Sequence, residues 1–152
     1  MSPSRAQLRA ARLPSSRGRG RPQRWIVAVA ATVAAAAHVP VIGPHLAEAP
    51  YMGVLFVALT AACVCIAAAI SVRDSAALYA TAVVTCGLAV LGYAATRLVP
   101  FPMLGDDVGN WLEPLGILSV ASETAVVVAA AWALLTPGRP AARRATTPPV
   151  PA

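Results

Sequence analysis

The stretch that decides the fold is YMGVLFVALTAACVCIAAAISV at residues 51–72, then Arg73-Asp74-Ser75, then AALYATAVVTCGLAVLGYAATRL at residues 76–98. No charged residue interrupts either run before Arg97. At about 1.5 Å per helical residue each is long enough to cross roughly 30 Å of hydrocarbon. A soluble helix of this length would carry a charged face, and neither run has one. The pair therefore predicts two membrane-spanning helices joined by a tight polar turn.

Two further runs flank this hairpin, from Trp25 to about Ile42 and from Trp111 to Leu135, giving spans at about 25–42, 51–72, 76–98 and 111–135. The first is the weakest, being largely alanine and valine. Composition agrees with lipid as the main solvent: 58% of the chain is apolar and 12% charged, against about 45–50% and 25% in soluble domains. The expected fold class is all-α, a polytopic membrane protein built as a four-transmembrane-helix bundle over residues 25–135. Trp25, Tyr51 and Trp111 open three of the spans, where amphipathic rings favour the headgroup layer.

The net charge of +6 comes from twelve cations, all arginine, and six carboxylates. Such a balance is a possible nucleic-acid signal, but the positions say otherwise. Seven arginines lie in residues 1–24, which read as a disordered basic arm with too little apolar surface to order itself. Three more lie in a proline-rich tail at residues 136–152. With four spans, these two ends and Arg73 share one side, which the positive-inside rule makes cytoplasmic. Only Arg97 falls on the other side, with Glu48, Asp106, Asp107 and Glu113. The expectation is a multi-pass plasma-membrane protein with both termini cytoplasmic, its arginines attracted to anionic lipid headgroups and not to nucleic acid. A cleaved signal peptide ending at Ala47-Glu48-Ala49 is the competing reading of the first run. The long basic region and Pro50, placed just after the cut, favour an uncleaved helix.

The loops expected between the spans are about eight, three and twelve residues long, too short for a soluble domain. Asp74 is expected to cap the third helix, Asn110 with Glu113 to form a capping box on the fourth, and Pro100 with Pro102 to end the third near Leu98. Two constellations carry possible chemistry. On the outer rim, His38, His45 and Glu48 lie in a segment stiffened by Pro40, Pro44 and Pro50, and two imidazoles with a carboxylate suit Zn or Cu. Asp106 and Asp107 approach from the third loop. Their spacing matches no established metal motif, so the alternative is that His38 hydrogen-bonds within the bundle while His45 and Glu48 serve the interface and a helix end.

The second constellation lies within the membrane. Glu113, Gly116, Ser119 and Glu123 share one face of the fourth helix, and Glu123 lies about 15 to 18 Å from its start, near mid-membrane. Tyr93 and Arg97 share a face of the third, and Arg97 is expected to pair with Glu113, Asp106 or Asp107. An intramembrane carboxylate is either a proton- or cation-binding group or is held by a serine or threonine across the bundle. Cys63, Cys65 and Cys86 sit mid-span at a Cys-x-Cys spacing, unlike surface-exposed redox pairs, and read as packing residues. No catalytic motif is present, so the chain reads as a non-enzyme.

The segments His45-Leu46-x-Glu48-Ala49-Pro50-Tyr51-x-Gly53-Val54-Leu55-Phe56, Gly92-Tyr93, Arg97, Gly105-Asp106-Asp107-Val108-Gly109-Asn110-Trp111 and Glu113-Pro114-Leu115-Gly116 resemble small, uncharacterised four-helix membrane proteins of high-GC actinobacteria. The resemblance spans about Val39 to Leu135. It implies a polytopic plasma-membrane protein and no particular activity. The functional expectation is a membrane protein that binds a metal ion or a partner at its outer rim, alone or as a homo-oligomer. The alternative is a small proton-coupled transporter subunit centred on Glu123.

Overall fold

The computed structural model describes residues 22–136. The basic arm and the proline-rich tail lie outside the described residues, except that Pro22, Gln23 and Arg24 belong to the first helix and Thr136 closes the last. Four helices form an up-down bundle: α1 (Pro22–Glu48), α2 (Pro50–Val72), α3 (Ala76–Leu98) and α4 (Pro114–Leu135). A short 3-10 turn, Gly105–Asp107, lies between α3 and α4. All four helices are long and apolar enough to cross a membrane, and no strand occurs among the described residues. The expected all-α four-helix bundle is the observed one.

The largest departure from expectation is at α1. Its apolar run gives out near Ile42, but the helix continues through Pro40 and Pro44 to Glu48. Each proline removes one backbone donor and would break an isolated helix. Within a bundle the freed carbonyls are tolerated, because neighbouring helices and local adjustments satisfy them. The expected eight-residue loop therefore shrinks to one residue: Ala49 has φ −138° and ψ 80°, and Pro50 opens α2 in the first turn, where a missing N–H costs nothing. Such a tight reversal needs Gly53. A Cβ there would lie 2.7 Å from the backbone nitrogen of Leu46 and 2.6 Å from its side chain.

Two caps also differ. Ser75, not Asp74, caps α3, its hydroxyl accepting from Leu78 N. Asn110 caps nothing: α4 starts at Pro114, after a turn at Trp111 and Leu112, and Glu113 is itself the cap, with Oε2 accepting from Gly116 N at 2.8 Å. Proline at the first helical position favours that start, since its φ is preset. Glu123 consequently stands nine residues beyond Pro114, about 13 Å along the axis, somewhat closer to the helix start than expected.

The bundle has two unlike halves. The half that carries the Arg73–Ser75 turn, called here turn-side, is closely packed: Val27, Ala31 and Ala34 of α1 meet Cys63 and Ile70 of α2, Tyr79, Ala82 and Cys86 of α3, and Val126 and Ala130 of α4. Alanine at facing positions lets backbones approach closely, which is what holds helices together in lipid, where apolar burial gains little. Cys63 and Cys86 are buried free thiols of this core and Cys65 is exposed on the bundle's surface, matching a packing role. The Arg24 guanidinium donates to the Ser71 carbonyl, tying the first turn of α1 to the last of α2. The opposite, loop-side half holds His38, Thr96, Arg97, Ser119, Ser122 and Glu123 as buried polar or charged residues. There α2 and α3 diverge, and a cavity opens between them.

Candidate functional site

The loop-side cavity has a volume of about 610 Å³, within the usual range for small-molecule sites. Its side walls are apolar residues of α2 and α3, among them Leu55, Leu59, Leu88 and Ala89. The back wall is polar and comes from α1 and α4.

That wall is built around one buried pair. His38 Nε2 lies 2.9 Å from Glu123 Oε1, and Ser119 Oγ lies 3.3 Å from the same nitrogen. His38 is 3% and Glu123 1% exposed. Ser119 sits one turn before Glu123, so both present their polar atoms to the same point of α1. In so dry a place an unpaired carboxylate would cost several kcal/mol, and a hydrogen-bonded imidazole offsets much of that. One hydrogen lies between the two atoms, carried by the ring nitrogen or by the carboxyl oxygen. Either way the contact ties α1 to α4.

The rim of the cavity is a second network. Arg97, 7% exposed, reaches Asp107 Oδ1 at 2.6 Å and donates to the Asp107 carbonyl at 3.1 Å. Its guanidinium also lies 4.6 Å from the centre of the Tyr93 ring, a favourable cation–π distance. The Arg97 carbonyl in turn accepts from Gly109 N, and Gly109 has φ +79°, a conformation that glycine adopts without strain. The Tyr93 hydroxyl donates to the Trp111 carbonyl at 3.1 Å. Tyr93 can lie so close to α4 because residue 116 is glycine: a Cβ there would be 2.7 Å from the Tyr93 ring. Across the opening, the Tyr51 hydroxyl donates to the Pro102 carbonyl at 2.6 Å, so the α3–α4 loop is fastened over the end of the cavity to α2.

Each residue singled out in the sequence can now be placed. The expected pairing of Arg97 with an acidic partner is met by Asp107, and Tyr93 packs beneath it. Glu113, Ser119 and Glu123 share one face of α4 and line the cavity with Gly116. Asp106 is exposed in the 3-10 turn. The metal triad is corrected. Because α1 stays helical, His38 and His45 stand two turns apart, about 10 Å along the axis, with the Phe56 ring packed at 5.3 Å from one and 4.8 Å from the other. His45 Nδ1 is engaged with the Val41 carbonyl at 2.8 Å, Glu48 is exposed at the helix end, and His38 is taken by Glu123. Among the described residues no three His, Cys, Asp or Glu side chains are grouped to hold a metal ion, so a Cu or Zn site at His38, His45 and Glu48 is not formed.

The residues that sequence reasoning missed are Phe56, which separates the two histidines, and the His38–Glu123 contact itself. A signal for the second was present. His38 and Glu123 are the ionisable side chains deepest in the first and last runs, and such groups in lipid seek partners at equal depth.

Fold and site together define a polytopic α-helical membrane protein with a polar-backed cavity in one half of the bundle. In comparisons with protein families, curated proteins and solved structures, nothing matches this chain.

Proposed function

We propose that the chain is a small proton-coupled carrier subunit of the plasma membrane, with both termini cytoplasmic and the cavity on the extracytoplasmic side. The observation that carries this reading is the His38–Glu123 pair in the wall of a ligand-sized cavity. A hydrogen-bonded imidazole and carboxyl in a dry site form an acid–base pair through which a ligand that changes the local charge or polarity couples its occupancy to proton exchange. Arg97, Asp107, Glu113 and His45 line the same cavity, so the proton has polar neighbours toward the rim. Orientation rests on the eleven arginines of the turn-side loop and the two ends, and the same residues favour an anionic leaflet. The likeness to actinobacterial four-helix proteins, and assembly as a homo-oligomer or with another membrane protein, belong to this reading as proposals. Four helices enclose little volume, which favours such assembly.

The reading is tested in proteoliposomes that carry a pH gradient and a trapped pH dye, challenged with a panel of cationic, neutral and anionic small molecules. Discharge of the gradient by at least one compound, lost in Glu123→Gln and in His38→Ala, is expected. Discharge that is equal in wild type and both variants, or absent for every compound, overturns it.

A further inference from the structure

Resting on the reading of this cavity as a ligand site, we infer that its ligand is a lipophilic monovalent cation that enters sideways from the bilayer between α2 and α3. Charge selects the class. Three carboxylates, Asp107, Glu113 and Glu123, line the cavity against one guanidinium, Arg97. Arg97 is consumed by Asp107 at 2.6 Å, so Glu113 and Glu123 are left facing the cavity with the imidazoles of His38 and His45 as their only basic neighbours in the lining. An anionic ligand would meet no arginine there that is not already paired. A cation meets Glu123 at the polar back wall, with the rings of Phe56 and Tyr93 in the same lining.

The route follows from what is closed and what is open. The end toward the loop is fastened by Tyr51 on Pro102 and by Arg97 on Asp107. The turn-side end is closed by the alanine-rich core. Between α2 and α3 the cavity lining includes Leu55 and Leu88, which are also 58% and 64% exposed on the bundle's surface. A ligand that passes there must dissolve in lipid, which demands a large apolar body around its charge. Its carbon skeleton matches the leucine walls, and its charge matches the carboxylate wall.

The probe is tetraphenylphosphonium, with tetraphenylborate as a body of the same shape and opposite charge, and binding is measured by equilibrium dialysis to the full chain in nanodiscs against empty nanodiscs. The cation should bind saturably and tetraphenylborate should not. Glu123→Gln should weaken the cation about tenfold or more, since it removes the facing charge. Leu88→Trp, which fills the entrance, should do the same, while Val128→Trp, on the far half of α4, should leave affinity unchanged. Equal binding of the borate, or full affinity in Glu123→Gln or Leu88→Trp, overturns the inference. So does absent cation binding, including the case in which a second copy of the chain seals the gap and Leu88→Cys cross-links copies to each other. Failure here separates from failure of the carrier reading. Glu123-dependent gradient discharge by a neutral or anionic compound, with no phosphonium binding, removes only the cation. Phosphonium binding that depends on Glu123, without proton movement for any compound, removes only the carrier.

Discussion

The two halves of the bundle are made of the same four helices and pack by different rules. In the turn-side half small side chains face one another, the helices approach closely, and every buried residue of the core is apolar apart from the phenol of Tyr79 and two thiols. In the loop-side half larger rings stand between helices, α2 and α3 part, and the buried groups are polar. The difference shows how one short membrane chain separates stability from chemistry. The dry alanine core fixes the helix axes, and the polar wall, costly on its own, is held in register by that core.

The comparison makes its sharpest statement about added volume. Ala31→Leu or Ala130→Leu inserts three carbons where both alanines are fully buried, and overpacking of this kind costs about 1–3 kcal/mol or more. Ala62→Leu and Ala89→Leu place the same atoms into the cavity wall and should be nearly neutral. Unfolding midpoints in mixed SDS micelles decide it, and equal losses at both sites would erase the distinction between the halves.

Next in size is the polar pair. Glu123→Ala leaves the buried His38 ring without its partner, at about 1–3 kcal/mol, and His38→Ala is similar. Because each single change strands the other group, the double variant should be less destabilised than the sum of the two. Strict additivity in the same unfolding assay would show that the two side chains do not interact.

The glycines give a contrast of comparable size. Gly53→Ala collides with the backbone of Leu46 and should cost about 1–3 kcal/mol, whereas Gly92→Ala meets nothing within 4 Å and should gain slightly from helix propensity. The least effect is expected from Tyr51→Phe, which removes the hydroxyl tie to Pro102 for about 0.5–1.5 kcal/mol. Its signature is faster hydrogen exchange confined to the 99–113 loop, and protection unchanged there would show that the tie does not fasten it.

What was legible in the sequence follows the same division. The four spans, the three-residue turn, the Glu113 to Glu123 face and the pairing of Arg97 with an acidic loop residue were readable, because helical periodicity and charge pairing are local or nearly so. Beyond the α3 cap at Ser75 and the placing of Phe56, three things were not. The extension of α1 past Pro40 and Pro44 was hidden because proline's cost is set by neighbours in the bundle, not by the helix itself. The cap at Glu113 was masked by an equally good candidate at Asn110. The His38–Glu123 contact joins residues at opposite ends of the chain, so only the packing of α1 against α4 brings them together; a hydrogen bond of His38 within the bundle was legible as the alternative to a metal triad with His45 and Glu48, but its partner was not.

The single-residue connection at Ala49 bears on how the protein reaches its membrane. A helical hairpin with almost no loop asks the insertion machinery to carry very little polar matter through the bilayer: Glu48 and the ring of His45 are the ionisable groups at that tip. The two helices can therefore partition into lipid as one wedge, α1 and α2 together, with α2 the more apolar of the two. Lengthening the tip by a few charged residues should lower insertion yield in a translocation assay without touching any residue of the folded interior.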